Sequence, residues 1–343
     1  MRPLISFSIC FLMLSAQCQR PGAQSPIMER IKGLSFVAPS RPFDSNPFVD
    51  VLNVNSSWIA VIPYAFCRAG EPVVHYDHQE SDKRWWGEGR HGIEETICQA
   101  QSNHIKVMLK PQIWVGKDWI GNLQFATGKD WEKWEDSYED YILPFAALSE
   151  EMGVEMICIG TEIKGSITAR PQFWQNLITK VRSVYKGKVT YAANWDEYEK
   201  VSFWSRLDYI GVNAYFPLCE EKNPTEQSLT RAWDPLLNEL GKFSKKYHKP
   251  ILFTEYGYLS VDGSGGKTWE LESKLKSLDY NPQAQANCLN ALLECCSKRD
   301  FWQGGFVWKW YSDPKNMRHG LEKDHSPQGK PAEDVIRKWY AKM

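Results

Sequence analysis

The sequence predicts a single-domain (β/α)8 barrel, an α/β fold of eight parallel strands inside a ring of helices. Three observations predict it. Eight short apolar runs alternate with longer stretches whose apolar residues recur at helical spacing. The runs are near-continuously apolar rather than alternating, as in parallel strands covered on both faces. The main rival, a doubly wound open sheet, wants a glycine-rich phosphate loop after its first strand, and neither GxGxxG nor a P-loop occurs there.

The elements follow in chain order. Residues 1–18 read as an export signal. Arg2 gives a positive start, and Leu4 to Ala16 form an apolar stretch too short to span a bilayer. Cys18 follows Leu14-Ser15-Ala16-Gln17, which is similar to a bacterial lipobox, with Gln17 a poor fit before the cysteine. Acylation would make Cys18 a membrane anchor and residues 19–29 a tether; the alternative is ordinary cleavage after a small residue. Either way the expectation is an exported protein: secreted, periplasmic or lipid-anchored at the cell envelope. The barrel then occupies residues 30–343.

The strand runs are Gly33–Pro39, Trp58–Phe66, Lys106–Trp114, Val154–Glu162, Lys188–Trp195, Asp208–Pro217, Pro250–Tyr258 and Gly304–Tyr311. Helical stretches lie at Ile93–Ser102, Trp131–Met152, Phe173–Tyr185, Ser228–Tyr247, Gln283–Lys298 and Glu333–Lys342. In Trp131–Met152, for example, Trp134, Tyr138, Tyr141, Ile142, Phe145 and Leu148 share one face. A plain barrel of this kind needs roughly 250 residues, so this chain has room for long loops.

Composition excludes several classes. With 41 Lys+Arg against 42 Asp+Glu the net charge is −1, and no basic block offers a footprint for nucleic acid. Seven cysteines follow Cys18, an odd number without framework spacing, so no obligatory disulfide network is expected. No CxxC pair suggests zinc, and His75 and His78 stand alone in a polar loop. A metal-dependent barrel hydrolase needs several His or Asp at strand ends; none of the seven His ends a predicted strand. No metal and no cofactor are expected. The outlier is tryptophan, with 16 residues, which suits either a large core or a surface that stacks flat rings such as sugars.

Reactive groups of such a barrel sit at the C-terminal ends of its strands. The fourth run ends CIGTE and the seventh LFTEYGY, which places Glu162 and Glu255 at two tips. Glutamate is depleted in strands and rarely buried without a partner. The two are either salt-bridged barrel residues or a carboxylate pair facing one pocket across the mouth. Hydrolysis of a glycosidic bond with retention uses two carboxyls about 5–5.5 Å apart, with environments that push their pKa values apart. Tyr215, near the end of the sixth run, neighbours the seventh; its phenol would donate to Glu255 and help keep that carboxylate ionised.

In order along the chain, KVMLKPQIW, EMICIGTEI, VTYAANWDEY, LDYIGVNAYFPL, PILFTEYGY and GGFVWKWY resemble glycoside hydrolase family 113. These are retaining (β/α)8 enzymes in a clan with catalytic Glu at strands four and seven. The resemblance covers nearly the whole mature chain. It implies activity on β-1,4-mannans, with Glu162 as acid/base and Glu255 as nucleophile. Two positions depart from the pattern. Thr161 stands where many enzymes of the clan place an Asn that binds the sugar 2-hydroxyl, and Gln112 stands where relatives often carry His.

The same strand-end rule adds supporting residues. Lys110 and Gln112 would hydrogen-bond sugar hydroxyls, and Asn194 and Trp195 would offer an amide beside a stacking face. Trp308 and Trp310 share one side of the last run by period two, so either would floor the reacting subsite, with Lys309 pointing outward. Trp85 and Trp86, in a polar loop, would form a cleft wall. Trp114, Trp119 and Trp269 also map to strand ends or the loops beyond. Trp134, Trp174, Trp204, Trp233 and Trp339 fall on helices, as shell packing. The implied partner is a polysaccharide or oligosaccharide, met by a monomer. The competing reading is a non-catalytic glycan-binding lipoprotein on a degenerate barrel, which Thr161 and Gln112 would favour.

Overall fold

The computed structural model describes residues 29–78, 85–116, 118–312 and 321–343. The export segment, Cys18 and most of the tether lie outside the described residues.

Among these, the elements in order are β1 (Ile31–Val37), α1 (Val49–Asn53), β2 (Trp58–Val61), β3 (Tyr64–Phe66), α2 (Arg90–Ser102), β4 (Lys106–Leu109), β5 (Gln112–Trp114) and α3 (Gly128–Glu151). There follow β6 (Met156–Thr161), α4 (Lys164–Ala169), α5 (Pro171–Val184), β7 (Lys188–Asn194), β8 (Ile210–Asn213), α6 (Glu226–Tyr247) and β9 (Ile251–Tyr256). The chain ends with α7 (Thr268–Ser273), α8 (Pro282–Ser297), β10 (Trp302–Tyr311) and α9 (Pro331–Lys342). Eight strands close a parallel barrel in the order β1-β10-β9-β8-β7-β6-β4-β2, as the apolar runs predict. The six predicted helical stretches correspond to α2, α3, α5, α6, α8 and α9.

The runs at 58–66 and 106–114 each break at a proline. Pro63 and Pro111 have no N–H to give the ladder. Beyond them the chain forms β3 and β5, a separate parallel pair with Tyr64 opposite Gln112. This pair stands over the barrel mouth and carries Tyr64, Gln112 and Trp114 to the cleft.

Helix starts follow local chemistry. Thr127, Thr225 and Asn281 accept from the backbone N–H three residues on, at α3, α6 and α8, which satisfies a donor the helix leaves open. Pro171, Pro282 and Pro331 occupy first-turn positions where a missing N–H costs nothing.

Two apolar layers hold the fold. Trp58, Ala60, Met108, Met156, Cys158, Ala192, Leu252 and Phe306 fill the barrel interior. Alternate residues such as Ile59, Val107, Ile157, Phe253 and Val307 pack outward against the helices. Trp134, Trp174 and Trp233 are fully buried in that outer layer, as their places on α3, α5 and α6 predict; Trp204, expected on a helix, is equally buried but lies in a short 3-10 turn between β7 and β8. Where β1 and β10 meet, Gly304 has φ +103, and a Cβ there would lie 2.1 Å from the Ile31 carbonyl oxygen; only glycine fits.

Three strands carry register irregularities near the mouth. On β9, Val212 pairs with Phe253 and Asn213 with Glu255, so β9 gains a residue. Ile251, Phe253 and Tyr256 all face outward, which leaves Glu255 facing the cleft. On β6 the extra residue falls between Cys158 and Thr161. On β10 it falls between Val307 and Trp310. Bulges of this kind re-aim side chains at barrel rims.

The described cysteines are free thiols, five of them buried. No described helix is long and apolar enough to cross a membrane. The described residues contain no group of three or more His, Cys, Asp or Glu placed to hold a metal. His75 Nε2 meets Glu71 at 3.2 Å, and His78 Nε2 lies 3.1 Å from the Asp140 carbonyl.

Candidate active site

The C-terminal mouth opens into a cleft of about 630 Å³ that holds both strand-tip glutamates. Their surroundings differ.

Glu255 is almost fully buried. Lys110 Nζ and Gln112 Nε2 donate to its Oε1, the latter at 2.8 Å, and Tyr215 Oη donates to Oε2 at 2.9 Å. Lys110 is itself fully buried. An ammonium, an amide and a phenol on two oxygens suit an acceptor-only carboxylate. Burial, and then the Glu255 charge, push the Tyr215 phenol well above its ordinary value, so it stays a protonated donor. Lys110 and Gln112, predicted to reach sugar hydroxyls, instead spend these donors on Glu255.

Glu162 closes β6 with φ 56. A side chain in this left-handed region costs roughly 1–2 kcal/mol, a strain that collects at functional sites. The conformation is held by Glu162 N–H donating to the Ala192 carbonyl and Lys164 N–H donating to the Glu162 carbonyl, at 2.8 and 2.9 Å. The Glu162 carboxyl accepts from Asn213 Nδ2 at 2.8 Å and from Trp119 Nε1 at 2.7 Å. Burial, then repulsion from Glu255, raise its pKa against those two donors. The two glutamates are therefore near enough to feel each other, and only Glu255 has a cation in direct contact.

Asn213 and Trp119 were not singled out as partners of Glu162. Asn213 carried a signal, since it closes the buried run IGVN and asparagine is depleted in strands. Thr254 Oγ1 donates to Asn213 Oδ1 at 2.8 Å, which fixes the amide with its NH2 toward Glu162.

Thr161, Asn194, Trp195 and Trp308 line the same cleft, with Trp114, Trp119 and Trp269. Asn194 Nδ2 donates to Asp196 at 3.1 Å. The remaining predicted residues fall elsewhere. Trp310 is buried in the outer layer between strands and helices. The extra residue on β10 breaks the period-two argument, so Trp308 and Trp310 face opposite ways. Lys309, expected to point outward, reaches Asp324 at 3.5 Å. Trp85 donates its indole N–H to the Ala38 carbonyl beyond β1, and Trp86 meets Phe43 edge-on at 5.6 Å. Neither is among the residues lining the cleft.

The cleft also holds Glu272 and His325, neither read from the sequence as a site residue. His325 Nε2 lies 3.3 Å from Glu272 Oε1. Burial lowers the His325 pKa to about 4, so near neutral pH the imidazole is uncharged.

Comparison with known proteins fits this geometry. No relative among the curated proteins matches the chain. Two solved structures described as GH113 beta-1,4-mannanase are similar at 27% and 26% identity, with TM-scores of 0.76 and 0.77. Each match covers 92% of this chain and 100% of the other. The GH113 beta-mannanase AaManA from Alicyclobacillus acidocaldarius, solved in complex with ManMIm, shares the fold at 24% identity and TM-score 0.76, over 92% of this chain and 98% of that one. The family model Glycoside Hydrolase Family 113 matches residues 52–330. With that match over most of its length, the chain belongs to glycoside hydrolase family 113.

Proposed function

We propose that this glycoside hydrolase cleaves β-1,4-mannosidic linkages in mannan or glucomannan with retention, using Glu255 as nucleophile and Glu162 as acid/base. The observation that carries the reading is the asymmetry of the two carboxyls. Glu255 has three donors, one an ammonium. Glu162 is held toward its protonated form by burial and by the Glu255 charge.

The steps follow from that asymmetry. Glu162 gives its proton to the glycosidic oxygen as the bond to the anomeric carbon breaks. A Glu255 oxygen attacks that carbon from the opposite face and forms a glycosyl ester. Glu162, now ionised, takes a proton from water, whose oxygen attacks the same carbon and releases Glu255. Trp308 supplies an apolar floor in the cleft. The mannan preference rests on the two beta-1,4-mannanase structures at 26% and 27% identity. Export of the chain belongs to this proposal, because a polymer is met outside the cell; labelled fatty acid incorporated at Cys18 would test the anchored form.

The test is to follow the anomeric protons while the protein acts on β-1,4-mannooligosaccharides. The expected first product is the β-anomer. A first-formed α-anomer rejects retention, and binding of mannan without release of reducing ends favours the non-catalytic reading.

A further inference from the structure

Lys164 opens α4, just beyond Glu162. Its backbone N–H holds the left-handed turn at Glu162. Its side chain reaches back over the same place. The ammonium lies 5.8 Å from the centroid of the Trp119 ring, and the Trp119 N–H donates to Glu162 Oε2 at 2.7 Å. The ammonium also meets Asp196 Oδ2 at 3.3 Å. The other Asp196 oxygen accepts from Asn194 Nδ2 at 3.1 Å. The loop after β5, the turn from β6 into α4 and the end of β7 thus converge beside one carboxyl.

Local packing brings them together. A Cβ at Gly165 would lie 1.9 Å from the Leu123 carbonyl oxygen, so only glycine lets α4 abut the segment that follows Trp119. On the near side, Asp118 Oδ1 accepts from the Trp119 backbone N–H at 2.8 Å and from Asn122 Nδ2 at 2.9 Å. These contacts fix the backbone of Trp119. Its indole is only partly buried. Glu162 holds the indole at its edge, and Lys164 lies over its face.

A partly exposed ion pair such as Lys164 with Asp196 adds little to stability. Its effect is to place a cation over an indole, the aromatic ring that attracts one best. As Glu162 gives up its proton, the Trp119 N–H stabilises the carboxylate left behind. A displaced indole would lose that contact at the moment it matters. Lys164 is not among the residues lining the cleft, so this role needs no contact with sugar.

We propose that Lys164 is a positioning residue for the acid/base: held by Asp196, its ammonium rests on the Trp119 ring and keeps the indole N–H on Glu162. The inference rests on the glycosidase reading above. Other charges face the same carboxyl. Glu255 and Lys110 act on Glu162 from across the cleft. Glu197, behind the end of β7, feels Glu162, Asp196 and Lys164, and Asp118 and Glu272 stand along the cleft wall. All of these stay in place when Lys164 alone is changed.

The experiment measures kcat/KM against pH for the wild type, K164M, K164R, W119F and the double variant W119F/K164M. The substrates are β-1,4-mannooligosaccharides, whose leaving group needs a proton, and dinitrophenyl β-mannoside, whose leaving group departs without one. K164M should lose about fivefold on the oligosaccharides and keep nearly all its rate on the aryl mannoside. Its alkaline limb should move upward in pH, because a weakened Trp119 contact no longer favours ionised Glu162. K164R should recover part of the loss. Adding K164M to W119F should change neither rate nor limb. Equal losses on both substrates would assign Lys164 a structural role and overturn the proposal. So would no loss on either, or a K164M effect that persists undiminished in W119F, which would show that the charge acts without the indole. Absence of wild-type turnover on every substrate would reject the glycosidase reading, and this inference with it.

Discussion

Lys110 and Glu255 form an ion pair with both members buried, the ammonium on β4's end donating to the carboxylate on β9. Two charges out of water are tolerated only when each is paired and hydrogen-bonded. K110M should therefore cost about 3–5 kcal/mol, the usual penalty for stranding one buried charge. The rate should fall roughly a hundredfold, as a displaced reacting group does. Denaturant midpoints and kcat measured together check this. A stable, fully active K110M would show that the pair does not position Glu255.

The Glu162 carboxyl accepts from Trp119 and Asn213, and both contacts oppose the rise caused by burial and by Glu255. W119F removes one of them. The protonated form that donates to the leaving group should then persist to higher pH. The alkaline limb of kcat/KM, which reports the free enzyme's acid, should move upward in pH. An unchanged limb, or a downward shift, would remove Trp119 from the control of Glu162.

Glu197, in the turn after β7, is fully buried and accepts from the Asn194 backbone N–H at 2.9 Å. Its other oxygen has no partner among the described residues. Burial is the main cause of a pKa raised from 4.5 to about 7; Asn194 N–H and Lys164 oppose the rise, and the charges of Glu162 and Asp196 add to it. Between those two values the folded state holds a proton that the unfolded state has lost, so stability falls as pH rises. The loss sums to about 3 kcal/mol above the folded pKa. E197Q cannot titrate. The unfolding free energy of the wild type minus that of E197Q should therefore fall as pH rises from 4.5 through about 7. His325, with its pKa lowered to about 4, contributes with the opposite slope, but it is present in both proteins and cancels. A flat difference would show that Glu197 does not titrate in that window.

The barrel was legible because parallel strands covered on both faces leave an unmistakable trace of continuous apolar runs. Glu162 and Glu255 were legible for the opposite reason, since a carboxylate at the tip of such a run is out of place. Trp310 was misassigned because period two assumes an unbroken ladder, and the extra residue on β10 has no local sequence mark. The breaks at Pro63 and Pro111 did carry a mark, since proline cannot serve in a central strand. Trp119, Glu272 and His325 come from loops and a short helix whose paths depend on what they pack against. Trp119 on Glu162 and His325 on Glu272 are tertiary contacts with no periodicity to reveal them.

The assignment of roles to the two glutamates is tested most directly by rescue with azide. E255A and E162A are each supplied with an activated aryl β-mannoside and sodium azide. In E255A the small anion takes the place of the lost nucleophile on the far face of the sugar, so the product should be the α-mannosyl azide. In E162A the ester on Glu255 still forms and azide displaces it from the other face, so the product should be the β-mannosyl azide. Reversed anomers, or wild-type turnover by E255A without azide, would contradict the account.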